Sequence, residues 1–350
     1  MDDLALRFIL SQFKISLDNV SFSIINQGYI NDTFLVLNDA KPKYILQRIN
    51  TNVFKNIDIL HHNFYKALLK LKSDDYQDIT LVPTIDNALF YKKETDCWRL
   101  LTFIDNSIAY NFTKDIEIAF EAGSLLGKFH SLLSSENPND FEDIISDLNH
   151  LPSKVDEFDA ALSNTTLNRK STAIHQIEFA LANKDLFDDF YNANLPLRVC
   201  HNDTKLNNML FDQTTKKGLC FIDLDTIMKG YFHYDFGDAI RTVVSESNED
   251  EKNLEKIKFN ITLFESFIKG LAPFASILSK KEIDFLPISC ALMPYMHGLR
   301  ALTDYLNGNI YYKISYPEQN LDRCRILFKI VRLSLSKQKI LKDIIEEHLK

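Results

Sequence analysis

Two clusters of acidic and amide side chains stand in the middle of the chain, each directly after a short apolar run. The first cluster lies within residues 201–208 and includes Asp203 and Asn208, and the second opens with Asp223 and Asp225. Apolar runs of this length indicate buried strands, and strand ends hold the side chains of the following loops in fixed positions. The pattern therefore predicts one chemical site at the ends of two strands.

The first of these loops, HNDTKLNN, has the spacing H-x-D-x-x-x-x-N. In phosphoryl transfer, the Asp of this spacing accepts the proton of the acceptor hydroxyl and the Asn binds a metal ion. A triphosphate beside carboxylates needs a divalent cation between them, and Mg²⁺ prefers oxygen ligands such as those of Asn208 and Asp223. We therefore predict Asp203 as the catalytic base, with Asn208 and Asp223 as the Mg²⁺ ligands of an ATP-dependent enzyme.

Each of these residues taken alone also fits a structural role, because Asp and Asn often form turns after a strand. The second acid-rich loop favours phosphoryl transfer, and Asp225 would assist the metal or fix the loop. Further along, Asp235 and Asp238 would orient the loop or contact the acceptor, with a structural role favoured. Arg241 would then be a buried partner of one of them.

The segments HNDTKLNNMLF and FIDLDTIMKGYFHYDFGDAIR resemble the aminoglycoside phosphotransferase-like kinases. The flanking segments NQGYINDTFLV, ILQRINTNVF and HGLRALTDYLNGNIYYKI are most similar to the N-acetylhexosamine 1-kinases, which phosphorylate the anomeric hydroxyl of N-acetylglucosamine or N-acetylgalactosamine. The resemblance spans almost the whole chain. It implies an α+β, protein-kinase-like fold with two lobes: a small β-rich N-lobe, residues 1–104, and a larger, mainly helical C-lobe, residues 105–350, with ATP in the cleft.

A strand–turn–strand pattern near the start of the chain predicts a β-hairpin. In a kinase-like fold such a hairpin covers the nucleotide phosphates with its backbone N–H groups. The resemblance assigns Gly28, Asn31 and Thr33 to nucleotide binding, although a plain hairpin turn fits the same pattern.

Arg48, on the next predicted strand, stands where kinases place the lysine that anchors the phosphates. Arginine keeps its charge and offers a planar fork to phosphate oxygens, while a solvated strand charge is the alternative. The helix predicted over residues 53–72 has His62 where kinases carry a glutamate that steadies this cation. What orients Arg48 is therefore open, and Asp58 is one candidate.

The lobe boundary is expected where a hydrophobic strand runs into a polar segment. The resemblance makes this segment the hinge, whose backbone groups pair with the edge of the adenine base. It assigns that contact to Thr102, Phe103 and Ile104.

The acceptor site is expected on a long helix predicted over residues 280–306 and on the loop that follows it. Arg300 and Asp304 are four residues apart and so share one helix face, which also fits a simple ion pair within the helix. Through the resemblance, Arg300, Asp304 and Tyr312 contact the hexosamine together with Asp203.

The composition excludes several other classes of protein. The chain has 350 residues, 45% of them hydrophobic, with 9 Gly and 9 Pro, which is typical of a globular protein able to bury a large core. Its net charge of −8 argues against nucleic-acid binding. The five widely spaced cysteines predict free buried thiols, and the sequence has neither a signal-peptide pattern nor a membrane span. We expect a cytoplasmic enzyme.

The preferred hypothesis is an N-acetylhexosamine 1-kinase that uses ATP and Mg²⁺, with a small amino sugar as its only expected partner. A kinase of another small alcohol, such as choline, homoserine or an aminoglycoside, is the first alternative. A catalytically silent nucleotide-binding protein is a second alternative, opposed by the presence of Asp203, Asn208 and Asp223 together. The oligomeric state stays open.

Overall fold

The computed structural model describes residues 2–25, 30–248 and 251–350. Its N-terminal part is built on a five-stranded antiparallel sheet with the strand order β1-β2-β3-β5-β4. The strands are β1 Val20–Ile25, β2 Asp32–Asn38, β3 Lys41–Ile49, β4 Tyr91–Lys93 and β5 Asp96–Thr102. Helix α1, Asp3–Leu10, precedes the sheet, and helix α2, Ile57–Lys70, connects β3 to β4.

Side chains alternate between the two faces of this sheet, and each face has its own partner. Leu46 and Trp98 point to one face, where they form a hydrophobic cluster with Leu10 of α1. Gln47 and Arg99 are paired across β3 and β5 and point to the other face, toward α2 and the cleft. A shift of one residue along a strand therefore moves a side chain from the cleft to the α1 side.

The remainder of the chain is mainly helical. Its short strands are β6 Ser107–Ile108, β8 Met209–Asp212 and β9 Gly218–Phe221 in one sheet, and β7 Arg198–Cys200 paired with β10 Met228–Gly230. The helices are α3 Ile116–Leu132, α4 Leu151–Asn164, α5 Leu167–Thr172, α6 Ile174–Asn183, α7 Asp188–Asn192, α8 Phe232–Val243, α9 Ile261–Leu271, α10 Lys280–Leu306, α11 Gln319–Leu335 and α12 Gln338–Leu349. An antiparallel β-rich N-lobe followed by a helical C-lobe confirms the predicted α+β fold class. The predicted lobe division at residue 104 lies between β5 and β6.

The long helix predicted over residues 280–306 is α10, and it continues through Pro287 and Pro294. Most of its residues are buried, so packing against neighbouring helices offsets the backbone hydrogen bonds that the prolines remove. Within the described ranges, none of the helices combines the length and the apolar character that a membrane-spanning segment requires.

The stretch after β10 forms helix α8, in which every residue is buried although the helix contains two aspartates and an arginine. This helix packs against α10 at Gly237, where a Cβ atom would lie 2.4 Å from the carbonyl oxygen of Ser289. Only glycine permits this close approach. Helix α8 thus forms a rigid support directly beneath the loop between β7 and β8.

Candidate active site

The loop after β7 holds Asp203 in a fixed orientation. The Asn208 Nδ2 group donates to the Asp203 carbonyl oxygen at 2.8 Å and to Asp203 Oδ2 at 2.9 Å. The ammonium group of Lys205 also contacts Asp203 Oδ2, at 2.9 Å. Because these contacts use Oδ2, Oδ1 is the carboxylate oxygen left to accept a proton.

The backbone of this loop is fixed by a buried carboxylate of α8. Asp235 Oδ1 accepts from the Asn202 amide at 2.7 Å, and Asp235 Oδ2 accepts from the His201 amide at 2.8 Å. His130 Nε2 of α3 lies 3.0 Å from the same Oδ2. The Thr204 hydroxyl donates to the Asp235 carbonyl. Helix α8 therefore determines where the backbone on both sides of Asp203 lies.

Asp223, just after β9, has the features of a cation ligand. Its backbone is left-handed, with φ at 61°, and its side chain is exposed within the cleft. It makes no hydrogen bond or ion pair with any residue the structure describes. Desolvation by the surrounding protein, followed by repulsion from the negative charges of Asp225 and Asp203, raises the pKa of Asp223 to about 6. An uncompensated carboxylate of this kind fits a divalent cation.

Asn208 fits the same cation because its amide nitrogen is already used by Asp203. Its Oδ1 atom is then the part of the side chain left for a ligand, and amide oxygens are suitable ligands for hard divalent cations. Asp225 is different, since both of its oxygens are occupied: Oδ1 by Arg99 and Oδ2 by Asn31 Nδ2 at 2.6 Å. Asp203, Asn208 and Asp223 thus lie together as predicted, with Asp225 behind them.

A single cleft of about 570 Å³ brings most of the predicted residues together. The predicted residues that line it are Asn31, Thr33, Thr102, Phe103, Ile104, Asp203, Asn208, Asp223, Arg300 and Tyr312. Gly28 lies outside the residues that the structure describes. Arg48 and Asp304 are absent from the lining, and each has a defined position elsewhere.

The structure places Arg48 on the face of the sheet opposite the cleft, which corrects its predicted role as the phosphate anchor. Its Nε donates to Asp32 Oδ2 at 2.9 Å, and its guanidinium lies 3.6 Å from Asp96 Oδ2 and 5.9 Å from the Trp98 ring centre. Strand alternation explains the difference, because Gln47 takes the cleft-facing position one residue earlier. His62 of α2, at the position where kinases carry the glutamate, is exposed, while its neighbour His61 is buried.

The segment after β5 offers a backbone edge at the inner end of the cleft. The Phe103 amide donates to the Lys43 carbonyl at 2.9 Å, and the Ile104 carbonyl accepts from the Ser107 hydroxyl at 2.7 Å. The Phe103 amide is therefore not available to a base edge, whereas the Ile104 amide makes no hydrogen bond with the described residues.

The far end of the cleft is lined by Arg300 and by the tyrosines that follow α10. The Arg300 guanidinium lies close to Tyr311, Tyr312 and Asp203, and, against desolvation by burial, the charge on each of these groups would raise the pKa of Arg300. Arg300 has no carboxylate within ion-pair distance among residues 2–25, 30–248 and 251–350. This is a cation held near Asp203 with its charge available to a ligand.

His297 and Arg241 also line this end, and both are held by Asp238 of α8. Arg241 Nε donates to Asp238 Oδ1 at 2.7 Å, as predicted for a buried partner, and His297 Nε2 lies 3.0 Å from the same oxygen. Burial, with the Arg241 charge as a second cause, lowers the pKa of His297. The imidazole is therefore neutral at neutral pH and donates its Nε2 proton to Asp238.

Asp304 lies outside the cleft and organises the loop that carries the tyrosines. Its carboxylate accepts from the amides of Ile310 at 2.9 Å, Tyr311 at 2.8 Å and Tyr312 at 3.0 Å, and from Asn320 Nδ2 at 2.7 Å. The structure thus corrects both sequence expectations, a sugar contact and an ion pair with Arg300. Asp304 acts on the site through the loop.

Replacing Asp304 with asparagine is expected to raise the acceptor KM about tenfold and to change kcat by less than about threefold. The reason is that an amide nitrogen would face backbone donors, at a cost of about 1–3 kcal/mol for each bond lost. Steady-state kinetics checks this. Asp322→Asn on α11 is the matched control, since Asp322 pairs with Arg325 and accepts from the Tyr316 hydroxyl but holds none of these backbone amides. An unchanged KM in the Asp304 variant would mean that the loop does not shape the acceptor site.

Sequence reasoning missed Lys205 and His297, and only the first had a readable signal. Lys205 follows Asp203 by two residues, so both side chains of an extended segment can point to the same side. His297 lies one helical turn before Arg300, but nothing in the sequence connects it to Asp238.

The sequence matches the phosphotransferase enzyme family over residues 21–255, more than half of the chain. The fold is similar to that of a microcompartment-associated aminopropanol kinase, with 16% identity, a TM-score of 0.65 and coverage of 97% of this chain and 99% of that one. A spectinomycin phosphotransferase, solved with ADP and spectinomycin, matches with 12% identity, a TM-score of 0.65 and coverage of 97% and 99%. Choline kinase from Cryptosporidium parvum matches with 14% identity, a TM-score of 0.59 and coverage of 98% and 97%.

Proposed function

Because the chain belongs to the phosphotransferase enzyme family, we propose that it transfers the γ-phosphoryl group of ATP to the anomeric hydroxyl of an N-acetylhexosamine. The observation that carries this proposal is the position of Asp203 between two different parts of one cleft. On one side are Asn208 and Asp223, which fit a divalent cation, and on the other is Arg300. A base between a metal–nucleotide site and an acceptor site is what phosphoryl transfer to a hydroxyl requires.

In this proposal, Asp203 Oδ1 accepts the proton of the acceptor hydroxyl while the hydroxyl oxygen attacks the γ-phosphorus. The bond between that phosphorus and the β,γ-bridging oxygen breaks, and ADP leaves. Asn208 and Asp223 would hold the divalent cation, which neutralises charge on the phosphate oxygens when it is bound. Lys205 keeps Asp203 Oδ2 occupied, so that the carboxylate presents one defined oxygen to the hydroxyl.

The nucleotide would lie against the N-lobe. Thr102, Phe103 and Ile104 line the part of the cleft that suits the base, and Asn31 and Thr33 line the part nearer the catalytic loop. Mg²⁺ is the proposed cation because the ligands are a carboxylate and an amide oxygen.

The acceptor end supports a neutral sugar rather than a cationic alcohol. The charge of Arg300 has no carboxylate partner among the described residues and would repel the quaternary ammonium of choline or the amines of an aminoglycoside. An acetamido carbonyl or a ring hydroxyl would instead accept hydrogen bonds from Arg300. Tyr312 adds an aromatic and hydroxyl-bearing side chain of the kind that suits a sugar ring.

A substrate panel tests the proposal. The purified enzyme is incubated with MgATP and, separately, N-acetylglucosamine, N-acetylgalactosamine, glucosamine, choline, homoserine and an aminoglycoside. We expect a sugar 1-phosphate with the N-acetylated sugars, identified by mass and by its acid lability, and at least about tenfold less product from glucosamine, whose amine is cationic. Product from choline or an aminoglycoside alone would exclude the sugar and leave the kinase activity standing.

A further inference from the structure

We propose that Arg99 and Asp225 form a positioning pair between the lobes, which takes the place of the strand-3 cation and helix glutamate of kinases. The proposal rests on the proposed kinase function and adds to it two residues that would act through the metal ligand Asp223. In kinases a β3 lysine pairs with a glutamate of the following helix, and the pair must be in place for activity. Here Arg48 points away from the cleft, and α2 has no carboxylate at the corresponding position.

Arg99 of β5 is the N-lobe cation that reaches the catalytic centre. Its side chain is completely buried and forms an ion pair with Asp225 Oδ1, where Asp225 is 2% exposed. Its Nε and one terminal nitrogen donate to Gln47 Oε1 at 2.9 and 2.7 Å. Its guanidinium carbon lies 4.5 Å from the centre of the Phe64 ring. Helix α2 thus offers the cation an aromatic face, and the acid comes from the C-lobe.

Two further N-lobe side chains extend the contact into the cleft. Asn31 donates to Asp225 Oδ2 at 2.6 Å and accepts from the Asn50 amide at 3.0 Å. Gln47 donates to the Thr33 hydroxyl at 3.3 Å while it accepts from Arg99. Both Asn31 and Gln47 line the cleft. Asn31 and Arg99 of the N-lobe therefore contact one carboxylate of the C-lobe directly, and Gln47 supports that contact through Arg99.

The position of that carboxylate explains what the pair does. Asp225 follows the left-handed Asp223 by two residues, within one short turn after β9. Because an N-lobe side chain holds each of its two oxygens, Asp225 fixes the turn that presents Asp223. The pair thereby fixes Asp223, the proposed metal ligand, relative to the sheet that would bind the nucleotide. A metal–nucleotide complex needs this fixed distance because it would contact both.

Binding of ADP with and without Mg²⁺ tests this role without any acceptor. Titration calorimetry would compare the wild type with the Arg99→Met, Asp225→Leu double variant, since apolar groups of similar volume can replace a buried ion pair without loss of stability. We expect MgADP to bind at least about tenfold more weakly to the double variant, with metal-free ADP within about threefold of wild type. The wild type is expected to bind MgADP more tightly than metal-free ADP.

Arg48→Met is the matched comparison, because it removes a cation from the same sheet on the opposite face, and less than a twofold change is expected there. Gln47→Met is a milder variant that removes only the support of Arg99, and we expect it to weaken MgADP binding selectively and by a smaller factor. Equal MgADP affinity in the wild type and a folded double variant would overturn the proposal. If the double variant does not fold, an MgADP affinity of the Gln47→Met variant equal to that of the wild type would overturn it. Since the assay contains no acceptor, a wrong sugar assignment leaves this result unaffected.

Discussion

Replacing Asp203 with asparagine is expected to lower kcat by at least about 10²-fold while MgADP affinity stays within about threefold of wild type. The asparagine oxygen can still accept from Lys205 and Asn208, so the loop should keep its shape. The side chain can no longer take up the proton of the acceptor hydroxyl. Initial-rate kinetics with the preferred acceptor, together with calorimetry of MgADP binding, would measure the two quantities separately.

Asp86→Asn is the control for this experiment, because Asp86 is an exposed carboxylate in an N-lobe loop outside the cleft lining. Its kinetic constants should match those of the wild type. A similar kcat in wild type and the Asp203 variant would remove Asp203 from the role of base. A parallel loss of MgADP binding would instead assign it to the nucleotide site.

The grouping of Asp203, Asn208 and Asp223 could be predicted because their relation is local in sequence. Asp203 and Asn208 lie in the loop before β8, and Asp223 lies directly after β9, so spacing alone indicates that they lie close together. Antiparallel pairing of β8 and β9 then brings the two loops together. The family match over residues 21–255 covers these residues and supports the same interpretation.

Arg48 shows why the N-lobe half of the site was harder to predict. Alignment to a kinase strand fixes a position only to within a residue, but side chains on neighbouring positions point to opposite faces. The strand KYILQRI has no clean alternation that would decide whether Gln47 or Arg48 faces the cleft. Arg99, which pairs with Asp225 beside Asp223, lies on another strand, and its partner is more than a hundred residues away in the chain.

The role of Asp304 and the burial of helix α8 were hard to predict for a different reason. Asp304 lies four residues after Arg300, and this spacing suggests an ion pair. Its carboxylate instead accepts hydrogen bonds from backbone amides of the following loop, and no residue pattern predicts those bonds. The sequence FHYDFGDAIR has too many polar residues for a typical buried helix. The helix is buried because Asp235 and Asp238 have hydrogen-bond partners on α3, on α10 and in the loop after β7. Those contacts exist only in the folded chain.

Replacing Asp235 with asparagine is expected to have the largest effect on stability, lowering the free energy of unfolding by about 3 kcal/mol. The carboxylate accepts from two loop amides and from His130, and the amide nitrogen of asparagine would face one of these donors. The backbone next to Asp203 would lose one of its two fixed points. We therefore expect kcat to fall as well, by at least about tenfold, with the acceptor KM within about threefold of wild type.

Asp238→Asn provides the matched comparison, since Asp238 lies one turn further along α8 and is equally buried. Asp238 holds Arg241 and His297, which line the Arg300 end of the cleft, and does not hold the loop after β7. The Asp238→Asn change should therefore raise the acceptor KM and leave kcat nearly unchanged. Chemical denaturation would show that both variants are destabilised, and steady-state kinetics would separate their roles. If the two variants changed the same kinetic constant, α8 would be a general scaffold. A change in kcat for the Asp235 variant and a separate change in KM for the Asp238 variant would mean that one buried helix positions both the base and the acceptor.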